Sequence, residues 1–519
     1  MDPQAFDRNR RTFILAAAVL AAGGALSCEQ PQGLKRSRSS KPLEGGEAGA
    51  SGATGASGAS SDAAKTTPPG GNAAKQPSAN TAKQGAEAAK ADGTTPKPPA
   101  PPVERPLPPT TEPAIRVKSG GLPKSDPKIR IDGPGAHLWI IEPGNAQPGT
   151  VGQSPVEFRW TDAGWKATEA AGTSRARPLA LPARATLEIM ALRDEPQRLK
   201  LSGATSIADG KASEWPGTVR LVPQPTDPNE PVDVVHEVPM ETYLPGVLAQ
   251  ELFNKWTVNV HRAQAVAARS WALCEIAQWR NRRHFDVVAG ELGQAWIGAT
   301  KHQRSIDAVA GTRGEVLLWT GRVVPAYYSS CCGGERASAR DAISSSIVHD
   351  IPPLMVTKKD GRDCCSSSPT YRWQSKFDLA TFARTLPAWA REEGYASLFK
   401  VDGLRRIEIV ERNAAGRPVR FQITDAKGML YEVQAERLRF ALNADPARPG
   451  NLRPSKDRLK SAFIEPLVVG KELVVSGRGH GHGVGMCQYG AEAMAKKGAK
   501  PSAILSRYYP GADLVKAYA

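Results

Sequence analysis

A long stretch near the start of the chain lacks aromatic residues, and it limits how much of the chain can fold. No Phe, Tyr or Trp lies between Phe13 and Trp139, and residues 29 to 127 consist mainly of Ala, Gly, Ser, Thr, Pro and Lys. Such a composition cannot bury enough apolar surface to offset the entropy that a chain loses on folding. We therefore expect residues 29 to 127 to form a disordered linker, and the rest of the 519 residues to supply the core.

The first 28 residues have the parts of an export signal. Basic residues between Arg8 and Arg11 precede a short apolar run at 13 to 20, and small residues follow as far as Cys28. This run is too short for a stable membrane-spanning helix. Arg10-Arg11 resembles the twin-arginine export signal, and residues 25 to 28 resemble a lipoprotein cleavage site with lipid on Cys28. We expect a protein exported to the periplasm or cell envelope and anchored as a lipoprotein. Plain cleavage, with Cys28 incidental, is the alternative.

The net charge narrows the class of partner. Of the formal net charge of +16, residues 29 to 127 carry +4 and residues 1 to 28 carry +1, which leaves +11 on the remainder. Such an excess suits an anionic polymer, either nucleic acid or cell wall. Because export removes the usual nucleic-acid target, we expect no nucleic-acid partner. No apolar run reaches 18 residues, which excludes a polytopic membrane protein.

The remaining sequence predicts an α+β fold in two parts. Short apolar runs separated by Pro and Gly predict a β-rich region over residues 128 to 214. A second domain is expected over 215 to 519, with mixed or antiparallel sheet flanked by helices. Its predicted elements are helices at 240 to 253, 258 to 279 and 501 to 509, a hairpin around Thr320-Gly321, and strands at 405 to 410, 419 to 424 and 473 to 476.

A carboxylate on the apolar face of the first predicted helix is the strongest chemical signal. At helical spacing one face carries Leu244, Val247, Leu248, Glu251 and Leu252. Burial disfavours the charged form of an acid, and a carboxyl group that holds its proton near neutral pH suits a general acid. The alternative is a structural ion pair between Glu251 and an arginine such as Arg269.

The second predicted helix is rich in alanine, which indicates a buried helix that other segments approach closely. Gln264 and Arg269 are its polar exceptions. Each is either a structural hydrogen-bonding group or a substrate contact.

These helices and three later motifs together resemble the stage II sporulation protein D (SpoIID) family, which includes the LytB amidase enhancers. The resemblance covers roughly residues 215 to 515. In the order of the family, the matching motifs are 238 to 247 (VPMETYLPGV) with Glu251, 262 to 270 (RAQAVAARS), 327 to 335 (YYSSCCGGE), 368 to 373 (SPTYRW) and 477 to 491 (GRGHGHGVGMCQYGA).

The resemblance implies that residues 215 to 519 are a catalytic domain that cleaves peptidoglycan. Enzymes of the family are lytic transglycosylases that cut between N-acetylmuramic acid and N-acetylglucosamine in strands stripped of stem peptides, and leave 1,6-anhydro ends. Glu251 matches their catalytic glutamate. The LytB branch implies an alternative, a non-catalytic peptidoglycan-binding protein that stimulates a cell-wall amidase.

The glycine-rich motif at 477 to 490 is expected to form the opposite wall of the cleft. Its glycines permit positive φ and close approach of the backbone to a ligand. We expect substrate contacts from His480, His482, Gln488 and Tyr489, with His482 the preferred sugar-contacting histidine. No Asp or Glu cluster accompanies the two histidines, so we expect no catalytic metal and no cofactor.

Six cysteines remain after Cys28. Cys331, Cys332, Cys364 and Cys365 form two vicinal pairs, for which cross-loop disulfides are the first interpretation in an oxidising compartment. Structural zinc is the alternative, because some SpoIID relatives hold zinc with His and Cys in this neighbourhood. Ser329 occupies the place where the family often has His, which argues against the same site here. Cys274 and Cys487 are expected to be free core thiols.

Overall fold

The computed structural model describes residues 104–519 except 136, 145–148, 193–197, 207–213, 225, 228–229, 291–292, 345, 357–364 and 466. The predicted export signal, Cys28, Cys364 and most of the predicted linker lie outside the described residues. In the part of the chain that is described, no helix has both the length and the apolar character needed to cross a membrane.

Strands β1 to β13 build a two-sheet β region around one core. One sheet has the order β10-β1-β13-β12-β8-β3-β4, with β14 beside β1, and the other has the order β11-β9-β2-β5-β6-β7. Their inner faces bury Ile129, Phe158 and Ile189. The strands are β1 Ala114–Leu122, β2 Lys128–Asp132, β3 His137–Ile141, β4 Thr150–Gln153, β5 Val156–Thr161, β6 Gly164–Glu169, β7 Arg177–Leu179, β8 Leu187–Ala191, β9 Arg198–Ser202, β10 Thr205–Ser206, β11 Trp215–Pro216, β12 Thr218–Pro223, β13 Val232–Pro239 and β14 Val287–Val288.

Two predicted boundaries are wrong. The linker does not extend to residue 127, because β1 pairs along its length with β13 and buries Ile115 and Val117. Apolar and charged residues alternate there, a strand signal that the overall composition of the segment hides. The division at 214 and 215 is not structural either, since β12 pairs with β8 of the predicted β region as well as with β13.

The helical layer follows directly from β13. Helix α2 is mostly buried. Its small side chains, such as Ala263 and Ala267, let helices α1, α3, α7 and α8 and the strand Glu315–Trp319 (β15) pack closely against it. The predicted helices at 240 to 253, 258 to 279 and 501 to 509 are confirmed. The helices of the described chain are α1 Met240–Glu251, α2 Val258–Trp279, α3 Gln303–Ala310, α4 Ala339–Ala342, α5 Leu379–Glu392, α6 Ala435–Asn443, α7 Gln488–Lys496 and α8 Pro501–Tyr508.

Residues 372 to 478 form a lobe with a core of its own, which includes Phe382, Phe421 and Leu438. It contains the sheet β18-β25-β24, the sheet β19-β20-β21, the pair β22-β23 and helices α5 and α6. The remaining strands are β15 Glu315–Trp319, β16 Arg322–Val323, β17 Tyr328–Ser329, β18 Arg372–Asp378, β19 Arg406–Arg412, β20 Pro418–Thr424, β21 Leu430–Gln434, β22 Ala444–Asp445, β23 Arg448–Leu452, β24 Val468–Val469, β25 Glu472–Arg478, β26 Met486–Cys487 and β27 Asp513–Lys516.

The glycine-rich motif lies against the segment that follows β17. Strands β17 and β26 pair in parallel, and isolated bridges join Cys331 to His480 and Ala337 to Val484. Gly485 has φ +66°, and a Cβ there would lie 2.0 Å from the Tyr327 carbonyl oxygen, so this close approach requires glycine. The predicted α+β class is confirmed, with sheets that are mostly antiparallel.

Candidate active site

Glu251 is the last residue of α1, and its position disfavours a negative charge. The carboxyl group is half-buried, and the last turn of the helix contains no basic residue. The C-terminal end of a helix dipole is itself negative. Burial raises the pKa of Glu251 from its ordinary 4.5 to about 7, against the opposing effect of two hydrogen bonds from Ala295 and Gln488. The group therefore exchanges a proton near neutral pH.

Two donors hold the two carboxyl oxygens of Glu251. The Ala295 N–H donates to Oε1 at 3.3 Å, and Gln488 Nε2 donates to Oε2 at 3.3 Å. Gln488 Nε2 also lies 3.4 Å from Gln264 Oε1, which accepts from it. Gln264 is buried, and its own Nε2 has no hydrogen-bond partner among the described residues. The fold therefore brings together three of the predicted site residues, Glu251, Gln264 and Gln488.

A hydrogen-bonded group of neutral side chains lies beside Glu251. Tyr243 OH donates to Gln294 Oε1 at 2.9 Å, and Gln294 Nε2 donates to Tyr328 OH at 3.0 Å. Burial, and then the charge of Glu251, raise the pKa of both tyrosines well above their ordinary value. The tyrosines stay protonated, so this wall of the site adds no charge.

Three aromatic rings pack together near Glu251: Phe253 and Trp256 lie on the loop between α1 and α2, and Tyr489 lies on α7. The rings of Trp256 and Tyr489 meet edge to face with their centroids 5.0 Å apart. The centroids of the Phe253 and Tyr489 rings are 6.2 Å apart. Phe253 is 38% exposed. The sequence interpretation selected Tyr489 but missed Phe253 and Trp256. The signal that could have found them is two aromatic residues within five positions after a catalytic-type glutamate.

Residues distant in sequence hold the loop that carries Phe253 and Trp256 in place. Glu492, on the same helix as Gln488, accepts hydrogen bonds from the Thr257 N–H at 3.0 Å and the Thr257 hydroxyl at 2.8 Å. Arg304 donates to the carbonyl oxygens of Asn254, at 3.1 Å, and of Trp256. Helix α7 thus positions both Glu251 and the aromatic loop.

Arg269 does not bind Glu251, and its predicted substrate contact is wrong. Its guanidinium is fully buried and pairs with Glu241, with Nε to Oε1 at 2.8 Å and Nη2 to Oε2 at 2.7 Å. A third donor, Nη1, reaches the Glu315 carbonyl oxygen at 3.0 Å. The structural alternative for Arg269 is therefore correct, although its partner is a different glutamate. Among the described residues, Glu251 has no arginine partner that would lower its pKa.

Comparison with known proteins shows which proteins this chain is similar to. The family model Stage II sporulation protein (SpoIID) matches residues 229–319, which include α1 and α2. Domain of unknown function (DUF8618) matches residues 350–485. Stage II sporulation protein D of Bacillus subtilis is 26% identical over 298 residues, which cover 54% of this chain and 76% of that protein. The predicted resemblance to the SpoIID/LytB family is therefore confirmed over α1 and α2.

Two further relatives extend the comparison. An uncharacterized protein of Brachyspira hyodysenteriae is 28% identical over 303 residues, which cover 58% of this chain and 72% of that protein. The Amidase enhancer of Bacillus subtilis is 26% identical over 298 residues, but these cover only 40% of its length and 52% of this chain. The similar proteins therefore include both a stage II sporulation protein D and an amidase enhancer.

The two histidines of the glycine-rich motif, His480 and His482, differ in exposure. His482 is 1% exposed, and burial lowers its pKa to about 3. Its Nδ1 accepts from the Val484 N–H at 3.0 Å, so the neutral ring supports the glycine-rich turn. The preference for His482 as the sugar contact is therefore wrong. His480 is half-buried, and its backbone exchanges hydrogen bonds with Cys331 at 2.7 and 3.2 Å.

The predicted cross-loop disulfides are absent among the described cysteines, which are free thiols. Cys332 Sγ and Cys365 Sγ lie 3.7 Å apart. Cys487 is a free, buried thiol as predicted, and its sulfur atom lies with those of Cys332 and Cys365 within 4.8 Å of one another. Hydrogen bonds from Cys331 and Cys332 lower the pKa of the Cys365 thiol. We name Cys332, Cys365 and Cys487 the thiol cluster. Its convergence from three segments was not visible in the spacing of the cysteines.

Proposed function

We propose that this protein is a lytic transglycosylase that cleaves peptidoglycan glycan strands between N-acetylmuramic acid and N-acetylglucosamine. The observation that supports it is the carboxyl group of Glu251, which is half-buried, has a pKa of about 7 and pairs with no arginine in the part of the chain that the structure describes. Such a group is protonated and deprotonated in comparable amounts at neutral pH, which suits one residue that acts first as acid and then as base.

The proposed reaction needs one enzymic carboxyl group. Protonated Glu251 donates its proton to the glycosidic oxygen as the bond from that oxygen to C1 of the muramic sugar breaks. The carboxylate then accepts the proton of the muramic C6 hydroxyl, whose oxygen forms a new bond to C1. The product is a 1,6-anhydro end, Glu251 regains its proton, and no water is consumed. The nucleophile comes from the substrate, so the second carboxylate that hydrolytic glycosidases use is not required.

The neighbours of Glu251 support both halves of this cycle. The Ala295 N–H and Gln488 Nε2 stabilise the transient carboxylate, because hydrogen bonds to a charged acceptor are stronger than those to a neutral one. The rings of Phe253 and Tyr489 offer apolar faces on which sugar rings stack, and the buried Trp256 ring supports Tyr489 edge to face. His480 is a further candidate for a polar sugar contact.

A protein that cleaves peptidoglycan has to reach the cell envelope. We propose that the protein is exported and anchored to the envelope through lipid on Cys28, with residues 29 to 103 between the anchor and the folded part. The net charge of +16 favours attraction to an anionic cell wall.

The second candidate function is a non-catalytic enhancer of a cell-wall amidase. It is favoured by the similarity to the Amidase enhancer of Bacillus subtilis, which is 26% identical. In that case the cleft would bind glycan strands, and Glu251 would perform no chemistry.

Digestion of glycan strands stripped of stem peptides separates the two candidates. Purified protein is incubated with the strands, and the products are analysed by mass spectrometry for anhydro-muramic ends. We expect such ends with the wild-type protein and none with Glu251→Gln. The matched control is Glu472→Gln, which removes an exposed carboxylate paired only with exposed Lys376 and should retain activity. Strands that are bound but yield no anhydro ends would refute the transglycosylase and favour the enhancer.

A further inference from the structure

We propose that a cleft between α4 and α6 binds an α-amino-acid head group, that is, an ammonium and a carboxylate on the same carbon. The cleft is open to solvent and has a volume of about 380 Å³. Arg340 and Asp341 line one side, and Gln434, Glu436 and Arg437 line the other. Two carboxylates and two guanidiniums therefore border one space, which we name the α4–α6 cleft.

Glu436 brings an unsatisfied carboxylate oxygen to the α4–α6 cleft. The residue is 6% exposed, and its Oε2 accepts from Arg439 Nε at 2.9 Å. Its Oε1 has no hydrogen-bond partner among the described residues. A buried oxygen without a donor is costly, and most of all on a charged group. This oxygen is therefore a ready acceptor for a donor on a ligand.

Asp341 is the second acid of the cleft. Asp341 and Glu436 both line the α4–α6 cleft and also an adjoining cavity of about 240 Å³. Burial raises the pKa of Asp341, an effect that Arg340 opposes and that the carboxylates of Glu411 and Asp350 reinforce. A cation in the cleft would stabilise the charged form of Asp341. The two acids together therefore favour an ammonium group.

The start of α6 and Arg437 provide the opposite charge. Gln434 is the N-cap residue of α6, and its side chain makes no capping hydrogen bond. The first N–H groups of a helix have no partner within it and, with the helix dipole, favour a carboxylate. The buried Arg437 guanidinium lies 4.7 Å from the centroid of the Tyr395 ring, which itself stacks on Trp389. This stacking holds Arg437 in position to meet an anion.

The mixture of charges favours a ligand that carries both signs. A lone anion would be repelled by Asp341 and Glu436, and a lone cation would be repelled by Arg340, Arg437 and the positive end of α6. In an α-amino-acid head group the ammonium can donate to Glu436 Oε1 and Asp341. Its carboxylate can accept from Arg437 and from the start of α6.

Two sources supply this head group: a free amino acid, and the diamino acid of a peptidoglycan stem peptide. With the second source, which rests on the proposed function, the cleft would recognise wall that still carries peptides. Neither Glu251 nor glycan cleavage takes part in the binding. Failure of this proposal is therefore distinguishable from failure of the proposed reaction.

The test is isothermal titration calorimetry of the full chain with meso-diaminopimelic acid, pimelic acid and 1,5-diaminopentane. Pimelic acid lacks the two ammonium groups of diaminopimelic acid, and 1,5-diaminopentane lacks its two carboxylates. We expect diaminopimelic acid to bind, and each of the other two to bind at least about tenfold more weakly, because each loses the charge-assisted hydrogen bonds of one sign. These comparisons need only the wild-type protein.

Two variants locate the binding. Asp341→Asn and Glu436→Gln should each weaken the binding of diaminopimelic acid about tenfold or more. Asp341 is half-buried, so its variant tests the cleft even if loss of the Glu436–Arg439 pair impairs folding. The matched control is Glu432→Gln, which removes an exposed carboxylate paired with Arg420 and should leave binding unchanged.

Alanine and an N-acetylmuramyl tripeptide that ends in diaminopimelate distinguish the two sources. The tripeptide compound contains no glycosidic bond between two sugars, so Glu251 has nothing in it to cleave. Tighter binding of this compound supports the stem-peptide source, and tighter binding of alanine supports a free amino acid. The proposal is overturned if none of the amino-acid compounds binds, or if pimelic acid or 1,5-diaminopentane binds as tightly as diaminopimelic acid. Unchanged binding in both Asp341→Asn and Glu436→Gln would also overturn it.

Discussion

The perturbed carboxyl group of Glu251 should make the stability of the fold depend on pH, and Glu251→Gln should remove that dependence. The pKa of Glu251 rises from 4.5 to about 7 because burial disfavours its charged form. An acid whose pKa is raised in the folded state binds its proton more tightly there than in the unfolded chain. Stability contributed by the protonated group is therefore fully present below about pH 4.5 and is lost as the pH rises to about 7.

The size of the effect follows from the shift. The change in pKa from 4.5 to about 7 corresponds to at most about 3.4 kcal/mol, since each pKa unit is worth about 1.36 kcal/mol. Glu251 is half-buried, and screening by solvent reduces the expected change to about 2 kcal/mol. Glutamine has nearly the same shape and no charge, so the variant keeps the packing but loses the titration.

The assay is urea unfolding of the full chain, monitored by tryptophan fluorescence at pH 4.5, 6 and 8, for the wild-type protein and Glu251→Gln. Comparing the change with pH in each protein cancels any constant cost of the amide. Between pH 4.5 and 8 the wild-type protein should lose about 2 kcal/mol more than the variant. Equal pH dependence of the two proteins, or a greater loss in the variant, would refute the reasoning about Glu251.

Three further predictions follow from the contacts of the site. In Gln488→Leu the Glu251 carboxylate loses one hydrogen bond, which raises the pKa of Glu251. The alkaline limb of the pH profile of glycan cleavage should therefore move up by about one pH unit. An unchanged limb would show that Gln488 does not act on Glu251. Arg269→Met leaves the Glu241 carboxylate without its cationic partner and should cost about 3–5 kcal/mol of unfolding free energy. Arg269→Met with Glu241→Leu should recover part of that loss in urea unfolding, and no recovery would contradict the pairing. Phe253→Ala should raise KM for glycan strands about 2- to 10-fold through loss of stacking, with kcat less affected, and an unchanged KM would remove this ring from the binding surface.

Local patterns in the sequence were reliable where neighbouring residues decide the structure. The apolar spacing of 240 to 253 predicted α1, the alanine-rich segment 258 to 279 predicted α2, and the runs at 405 to 410 and 419 to 424 predicted β19 and β20. The same approach failed for β1, because an averaged composition concealed a short alternating pattern that includes Ile115 and Val117. A strand of nine residues is too short to change the composition of a segment of about a hundred.

Residue roles were harder to predict, because they depend on which partner each side chain meets. Arg269 and Glu251 lie on neighbouring helices, yet Arg269 pairs with Glu241, which lies at the opposite end of the same helix as Glu251. His482 belongs to a glycine-rich motif that could line a cleft, but its ring is buried and supports the turn. A sequence shows that a polar group is present, but not whether another group already satisfies it.

The sequence alone determined the α+β class, the order of the main helices and strands, and the identity of Glu251 as an acid on an apolar helix face, because these depend on periodicity and local chemistry. Tertiary structure decided the rest. Gln488 reaches Glu251 across 237 residues, and Cys487 joins Cys332 across 155. Such contacts result from how separate elements pack together, and both the pKa of Glu251 and the convergence of the thiols depend on that packing.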